Sequence, residues 1–151
     1  MTKLQAPFPY FGGKNKIAEK VWNALGQPKL YLEPFFGSGA VLLARPHYNH
    51  KTMAETVCDI DGFVCNAWRS IQFNPEETAK WCGWPINHLD LIARKKELIK
   101  KENYLLKGLK DDPKWYDAEL GGYWIWCVSN SIGMWTNINQ IPHISAAAKG
   151  V

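Results

Sequence analysis

The sequence predicts an α/β fold: a partial parallel sheet in residues 1–73, followed by a mostly helical segment in residues 74–151. Three observations predict it. Short apolar runs alternate with amphipathic helical runs through the first 72 residues, the pattern of strands joined by crossover helices. The first of those short runs enters a glycine-containing turn. After Asn74-Pro75 the strand signals stop and apolar residues recur only at helical spacing.

The elements follow in order. Asn15 to Leu25 carries Ile17, Ala18, Val21, Trp22 and Leu25 on one helical face, and Gly26 and Pro28 stop it. Leu30 to Glu33 reads as a strand. Ala40 to Ala44 reads as a short helix ending before Pro46. Glu55 to Asp59 reads as a second strand, and Phe63, Val64, Ala67, Trp68 and Ile71 mark an amphipathic helix after it. Asn74 is a good N-cap, with Pro75 at the first helical position and Glu76 and Glu77 in the first turn. Leu89 to about Leu106 repeats at helical spacing among lysines. Tyr116 to Ile132 is a further helical candidate rich in aromatics, and from Gly133 onward the chain reads as a loop. The change of character puts a subdomain boundary near residues 73–75.

Composition narrows the class. The chain has 151 residues, 46% hydrophobic and 21% charged, which suits a globular domain and excludes whole-chain disorder. The longest uncharged stretch, from Leu120 up to Lys149, is broken by Asn, Ser, Gly and His and is too polar for a membrane span. No apolar run follows the N-terminal Met1 to Gln5, so no secretory leader is expected. Cys58, Cys65, Cys82 and Cys127 show no Cys-x-x-Cys spacing and fall in apolar runs, which reads as buried thiols in a reducing cytoplasm. The net charge of +4 permits an anionic partner such as DNA without requiring one.

Three segments carry chemistry. Leu30 to Glu33 is followed by Pro34-Phe35-Phe36-Gly37-Ser38-Gly39: a strand, an acid at its carboxyl end, and glycines opening a helix. Ligands of open α/β sheets bind at that end of the strands, and glycine allows close approach. A lone Gly-x-Gly is more often a plain turn. The acid tips the reading, because it repels phosphate and suits the ammonium of an amino-acid-like cofactor. The second strand ends in Asp59-Ile60-Asp61, about 20 residues after Gly39, the distance at which such sheets present an acid to ribose hydroxyls. Asp59 is the ligand candidate, and Asp61 suits an N-cap. Earlier in the chain, Tyr10-Phe11-Gly12-Gly13-Lys14 precedes a helix and places backbone donors and a cation near its start, an anion site in form.

In that order the three segments resemble the adenine-specific DNA methyltransferases of the DNA adenine methylase family. That family carries an aromatic-x-Gly-Gly-Lys segment, a Glu-Pro-Phe-x-Gly-x-Gly motif and an acid ending the next strand. The similarity extends through Asp61-Gly62-Phe63-Val64-Cys65-Asn66-Ala67-Trp68-Arg69 and fades after about residue 75. Trp124 to Trp135 and Pro142-His143-Ile144-Ser145 look similar to certain phage-like members.

The resemblance implies a partial Rossmann-like sheet, S-adenosylmethionine as cofactor and double-stranded DNA as partner. It places the methionine end over Tyr10, Gly12, Gly13, Lys14 and the loop of Glu33, Pro34, Phe35, Gly37, Ser38 and Gly39, with Asp59 on the ribose. The implied reaction is methyl transfer to the exocyclic amine of a flipped adenine, its rate owed mainly to positioning. A cytoplasmic location follows, with no membrane and no metal.

The family's catalytic Asp-Pro-Pro-Tyr is not found in the sequence; Asp112-Pro113-Lys114-Trp115 lacks the second proline and a preceding strand. The expectation is therefore the cofactor-binding N-terminal part of such an enzyme, with 74–151 belonging to its DNA-recognition region. Two other readings stand beside it. One is a module that binds S-adenosylmethionine or DNA without turnover. The other is a nucleotide-dependent oxidoreductase, against which Gly37-Ser38-Gly39 lacks the third glycine of the dinucleotide fingerprint.

The remaining candidates read as structural. His47, His50, His88 and His143 have no metal-ligand spacing. The basic run Arg94-Lys95-Lys96 with Lys100-Lys101 is read as a solvated helix face in preference to a phosphate track. The aromatics Tyr123, Trp124, Trp126 and Trp135 are read as packing.

Overall fold

The computed structural model describes residues 4–139. Two compact units divide it, 1–60 and 61–151.

The first unit has helix α1 (Ala18–Leu25), strand β1 (Leu30–Glu33), helix α2 (Ala40–Leu43) and strand β2 (Ala54–Val57). The strands pair in parallel, Leu30 opposite Ala54 and Glu33 opposite Val57. The ladder extends past both strand ends, since Cys58 N–H donates to the Glu33 carbonyl (2.9 Å) and Phe36 N–H to the Cys58 carbonyl (3.0 Å). One sheet face packs inward. There Trp22 and Val41 lie in the core with Ala18, and Tyr31 packs against them. On the other face Leu30 and Leu32 are exposed. Trp22 Nε1–H donates to the Val41 carbonyl (2.7 Å) and ties α1 to α2. The helix expected from Asn15 begins at Ala18, because residues 15–17 form a turn ahead of it.

The second unit is helical: α3 (Gly62–Phe73), α4 (Pro75–Cys82), α5 (His88–Lys100), α6 (Glu102–Asp111) and α7 (Ala118–Ser129). Side-chain caps start four of the five, from Asp61, Asn74, Asn87 and Asp117. Helix α7 is the hub against which α3, α4 and α5 pack. Gly122 makes that approach possible. A Cβ there would overlap Trp81 Cβ and lie 2.8 Å from the Thr78 carbonyl. The span read as one helix over 89–106 is two, broken at Lys101, which ends α5 and begins α6 without a glycine or proline.

The unit boundary falls after Ile60, ahead of the change in sequence character at 73–75. Helix α3 packs on α7 and α6 and so counts with the helical unit. Side chains of α3 explain this. Asn66 donates to the Asp117 carbonyl (2.9 Å) and accepts from its N–H (2.8 Å), fixing the start of α7. Arg69 donates to the carbonyls of Asp112 and Trp115, both at 3.1 Å. Pro142, His143, Ile144 and Ser145 lie outside the described residues.

Candidate functional site

Two motifs far apart in sequence become one surface in the first unit. Gly12, at φ +75°, lets the chain turn so that Gly13 N–H donates to the Tyr10 carbonyl (2.8 Å). The Tyr10 ring then lies on Gly37, where a Cβ would meet Tyr10 Cδ1 at 2.8 Å. Gly37 and Gly39 take φ of +51° and +68°, and Gly39 N–H closes the turn on the Phe36 carbonyl (2.9 Å). A side chain at Gly37 would be strained and would displace the aromatic ring above it.

Glu33 ends β1 and is buried, 3% exposed. Its Oε1 is 2.9 Å from Lys14 Nζ. Lys14 also donates to the Phe35 carbonyl (2.7 Å), so one ammonium bridges that carbonyl and Oε1. The Tyr31 hydroxyl donates to Oε2 (3.1 Å). A carboxylate oxygen accepts more than one donor, so Oε1 can take the ammonium of a zwitterionic head whose own carboxylate offsets the charge of Lys14.

Asp59 follows β2. Its Oδ2 accepts from Gly37 N–H (2.7 Å), so this carboxylate holds the glycine turn in place. Asp61 caps α3, accepting from Phe63 N–H (2.8 Å) and Val64 N–H (3.4 Å), and is structural as expected.

Of the expected site residues, the structure brings Tyr10, Gly12, Gly13, Lys14, Glu33, Gly37, Ser38, Gly39 and Asp59 together. Ser38 is buried, with its Oγ 3.9 Å from where a Gly13 Cβ would stand. Pro34 and Phe35 are exposed at the rim. Lys14, expected near a helix N-terminus, lies ahead of the turn that precedes α1 and contacts Glu33 and the Phe35 carbonyl. Tyr31 and Arg45 were not singled out. The alternation along a strand, which puts Tyr31 and Glu33 on one face, was a sufficient signal for Tyr31.

The helical unit corrects other readings. The basic run divides: Arg94, 5% exposed, and Lys95, fully buried, leave the solvated face expected of them, while Lys96 and Lys100 stay exposed. The Arg94 guanidinium lies 4.4 Å from the Tyr123 ring centre and 4.6 Å from that of Trp126, and it donates to the Trp81 carbonyl (2.9 Å). Burial lowers the pKa of both cations from their ordinary values. Lys95 Nζ donates to the Asn137 carbonyl (2.9 Å). Trp124 and Trp126 are core residues. The cysteines carry no disulfide; Cys127 is buried, Cys65 and Cys82 are half-buried, and Cys58 is exposed, contrary to expectation, because it lies past the end of β2. Asp112-Pro113-Lys114-Trp115 forms the turn that ends α6, with Lys114 N–H donating to Asp112 Oδ1 (2.8 Å). Among the described residues no group of three His, Cys, Asp or Glu could hold a metal, and no helix is long and apolar enough to cross a membrane.

Comparison with curated proteins finds no match, and comparison with solved structures finds none. Residues 10–116 match the family described as D12 class N6 adenine-specific DNA methyltransferase. That match begins at Tyr10, spans the glycine turn, Glu33 and Asp59, and runs into the turn before α7. This chain belongs to the D12 class of N6 adenine-specific DNA methyltransferases.

Proposed function

We propose that residues 1–60 bind S-adenosylmethionine and that the chain serves methylation of adenine N6 in double-stranded DNA. One observation carries the reading: the Tyr10–Lys14 turn sits on the Gly37–Gly39 turn beside the buried carboxylate of Glu33. The residues fit the cofactor. Glu33 Oε1 offers an acceptor to the α-ammonium of its methionine end, with Lys14 beside it for the carboxylate. Gly13 and Gly37 let the two turns close on each other, with the Tyr10 carbonyl and ring standing where their Cβ atoms would be. Asp59 holds the turn through Gly37 and is the acid for the ribose hydroxyls. When bound, the cofactor supplies a methyl group on a sulfonium. The chain's own part is to bind, orient and exclude water.

Residues 74–151 belong, on this reading, to the DNA-recognition region. Exposed Lys96, Lys100, Lys107 and Lys110 are the cations there that support it.

The test is a calorimetric titration of the full chain with S-adenosylmethionine, with NAD as comparison. Binding of S-adenosylmethionine alone is the expected result. Binding of NAD alone would reject the family's cofactor for this site.

A second reading, a binding module without turnover, is favoured by the role of Asp112-Pro113 as a helix-ending turn in a chain with no Asp-Pro-Pro-Tyr. It predicts that this chain alone transfers no labelled methyl group to DNA. Clear turnover would eliminate it.

A further inference from the structure

The fold accounts for the ring of Tyr31 and leaves its hydroxyl unexplained. The ring packs on Trp22, centroids 4.7 Å apart, and the Arg45 guanidinium stands 6.0 Å from its centre. Arg45 is fixed in turn by Glu55 (2.8 Å), by the Pro28 carbonyl and by the Trp22 and Tyr48 rings. Glu55 is the residue opposite Tyr31 in the parallel ladder, so the clamp comes from both strands. A phenylalanine would fill this place equally well. The hydroxyl does one thing, donating to Glu33 Oε2 two residues along the same strand face. Burial and the charge of Glu33 push the hydroxyl above its ordinary range, so it stays a donor throughout the working pH range.

We propose that Tyr31 is the positioning residue of this site: held rigid by Trp22 and Arg45, its hydroxyl fixes the Glu33 carboxylate with Oε1 turned to the Lys14 side, where the amine of an amino-acid head is received. The inference rests on the reading of Glu33 as the ammonium acceptor. It adds that the selectivity for a ligand carrying that head lies in a residue that does not touch the ligand. Without the hydroxyl, Oε2 is a buried acceptor lacking a donor, and the carboxylate is held by Lys14 alone.

Tyr31→Phe removes the oxygen and keeps the ring. Two ligands are compared by titration: S-adenosylmethionine and methylthioadenosine, which keeps the adenosine and sulfur but lacks the amino-acid head. The variant binds S-adenosylmethionine about tenfold more weakly, the loss of one hydrogen bond to a charged group. Its affinity for methylthioadenosine stays within error of the wild type. Trp22→Phe, which loosens the ring's support, reproduces the same selective loss in weaker form. Equal losses for both ligands in Tyr31→Phe, or no loss for either, would overturn the proposal.

A ligand-free measurement separates this inference from the cofactor reading. The rate at which an activated ester acylates Lys14, followed by mass spectrometry, reports how firmly Glu33 holds it. The rate rises severalfold in Tyr31→Phe and further in Glu33→Gln. An unchanged rate refutes the positioning role whatever the chain binds. A raised rate in a protein whose wild type ignores S-adenosylmethionine would keep the positioning role and reject the cofactor.

Discussion

The two units use their polar residues differently. In the helical unit nearly every buried polar group is accounted for by the fold. Asn66 and Ser70 bond to Asp117, Arg94 sits among aromatic rings, and Asn130 Nδ2 donates to the Trp126 carbonyl. In the first unit the buried Glu33 carboxylate caps no helix and is held by Lys14 and Tyr31 at the end of β1, next to the glycine turn. Charge follows the same division. Residues 61–139 carry ten Lys and Arg against ten Asp and Glu, while residues 1–60 carry seven against four, so the excess of cations lies in the first unit. Polar groups explained by packing mark a scaffold; those that packing leaves over mark a site.

That contrast can be broken from either side. The largest expected effect is in the scaffold. Gly122→Val forces a branched side chain between α7 and α4 and costs about 3 kcal/mol, read as a lower urea midpoint. A midpoint equal to the wild type would show that the α4–α7 seam yields. Next, Asn66→Ala leaves the Asp117 N–H without its acceptor while the carbonyl keeps Ser70, at about 2 kcal/mol. Thermal unfolding measures it, and cofactor affinity should not change. In the first unit the reverse holds. Asp59→Ala releases the Gly37 N–H and weakens S-adenosylmethionine binding by about 1–3 kcal/mol with a smaller change in unfolding. Unchanged affinity would remove Asp59 from the site.

The smallest effect is a pH dependence. Burial pushes the Cys127 thiol from 9.0 up to about 12, against the pull of Lys95 and Arg94. The folded state therefore favours the neutral thiol. Its contribution to stability is complete below pH 9 and fades as pH rises toward 12. The stability gap between wild type and Cys127→Ala should narrow over that interval. A gap independent of pH would mean the thiol titrates alike in both states. Near neutral pH an alkylating reagent should modify exposed Cys58 well before Cys127.

The turns and strand ends of the candidate site were more legible in the sequence than the scaffold's details. Glu33, Gly37, Gly39 and Asp59 announce themselves because a strand end, a turn with positive φ and a second strand end each demand particular residue types. The caps at Asn74 and Asp61 were legible for the same reason. The break at Lys101 was not, since no breaker residue stands there and the packing of α5 and α6 decides it. Nor was the burial of Arg94 and Lys95. In sequence they are members of a basic run, and only the aromatic rings of α7 and the carbonyl of Asn137 make an interior place for them. Tyr31 falls between: its register with Glu33 was readable, while the clamp of Arg45 and Glu55 required the fold.

The placing of the indoles has a practical consequence. Of the eight Trp residues, Trp22 alone lies in the first sixty. Intrinsic fluorescence of this protein is therefore dominated by the helical unit, and a melting curve recorded that way is nearly blind to the glycine turn. Trp22, packed on Tyr31 and facing Arg45, is the exception. With the other indoles replaced, its emission would become an optical gauge of the clamp behind Glu33.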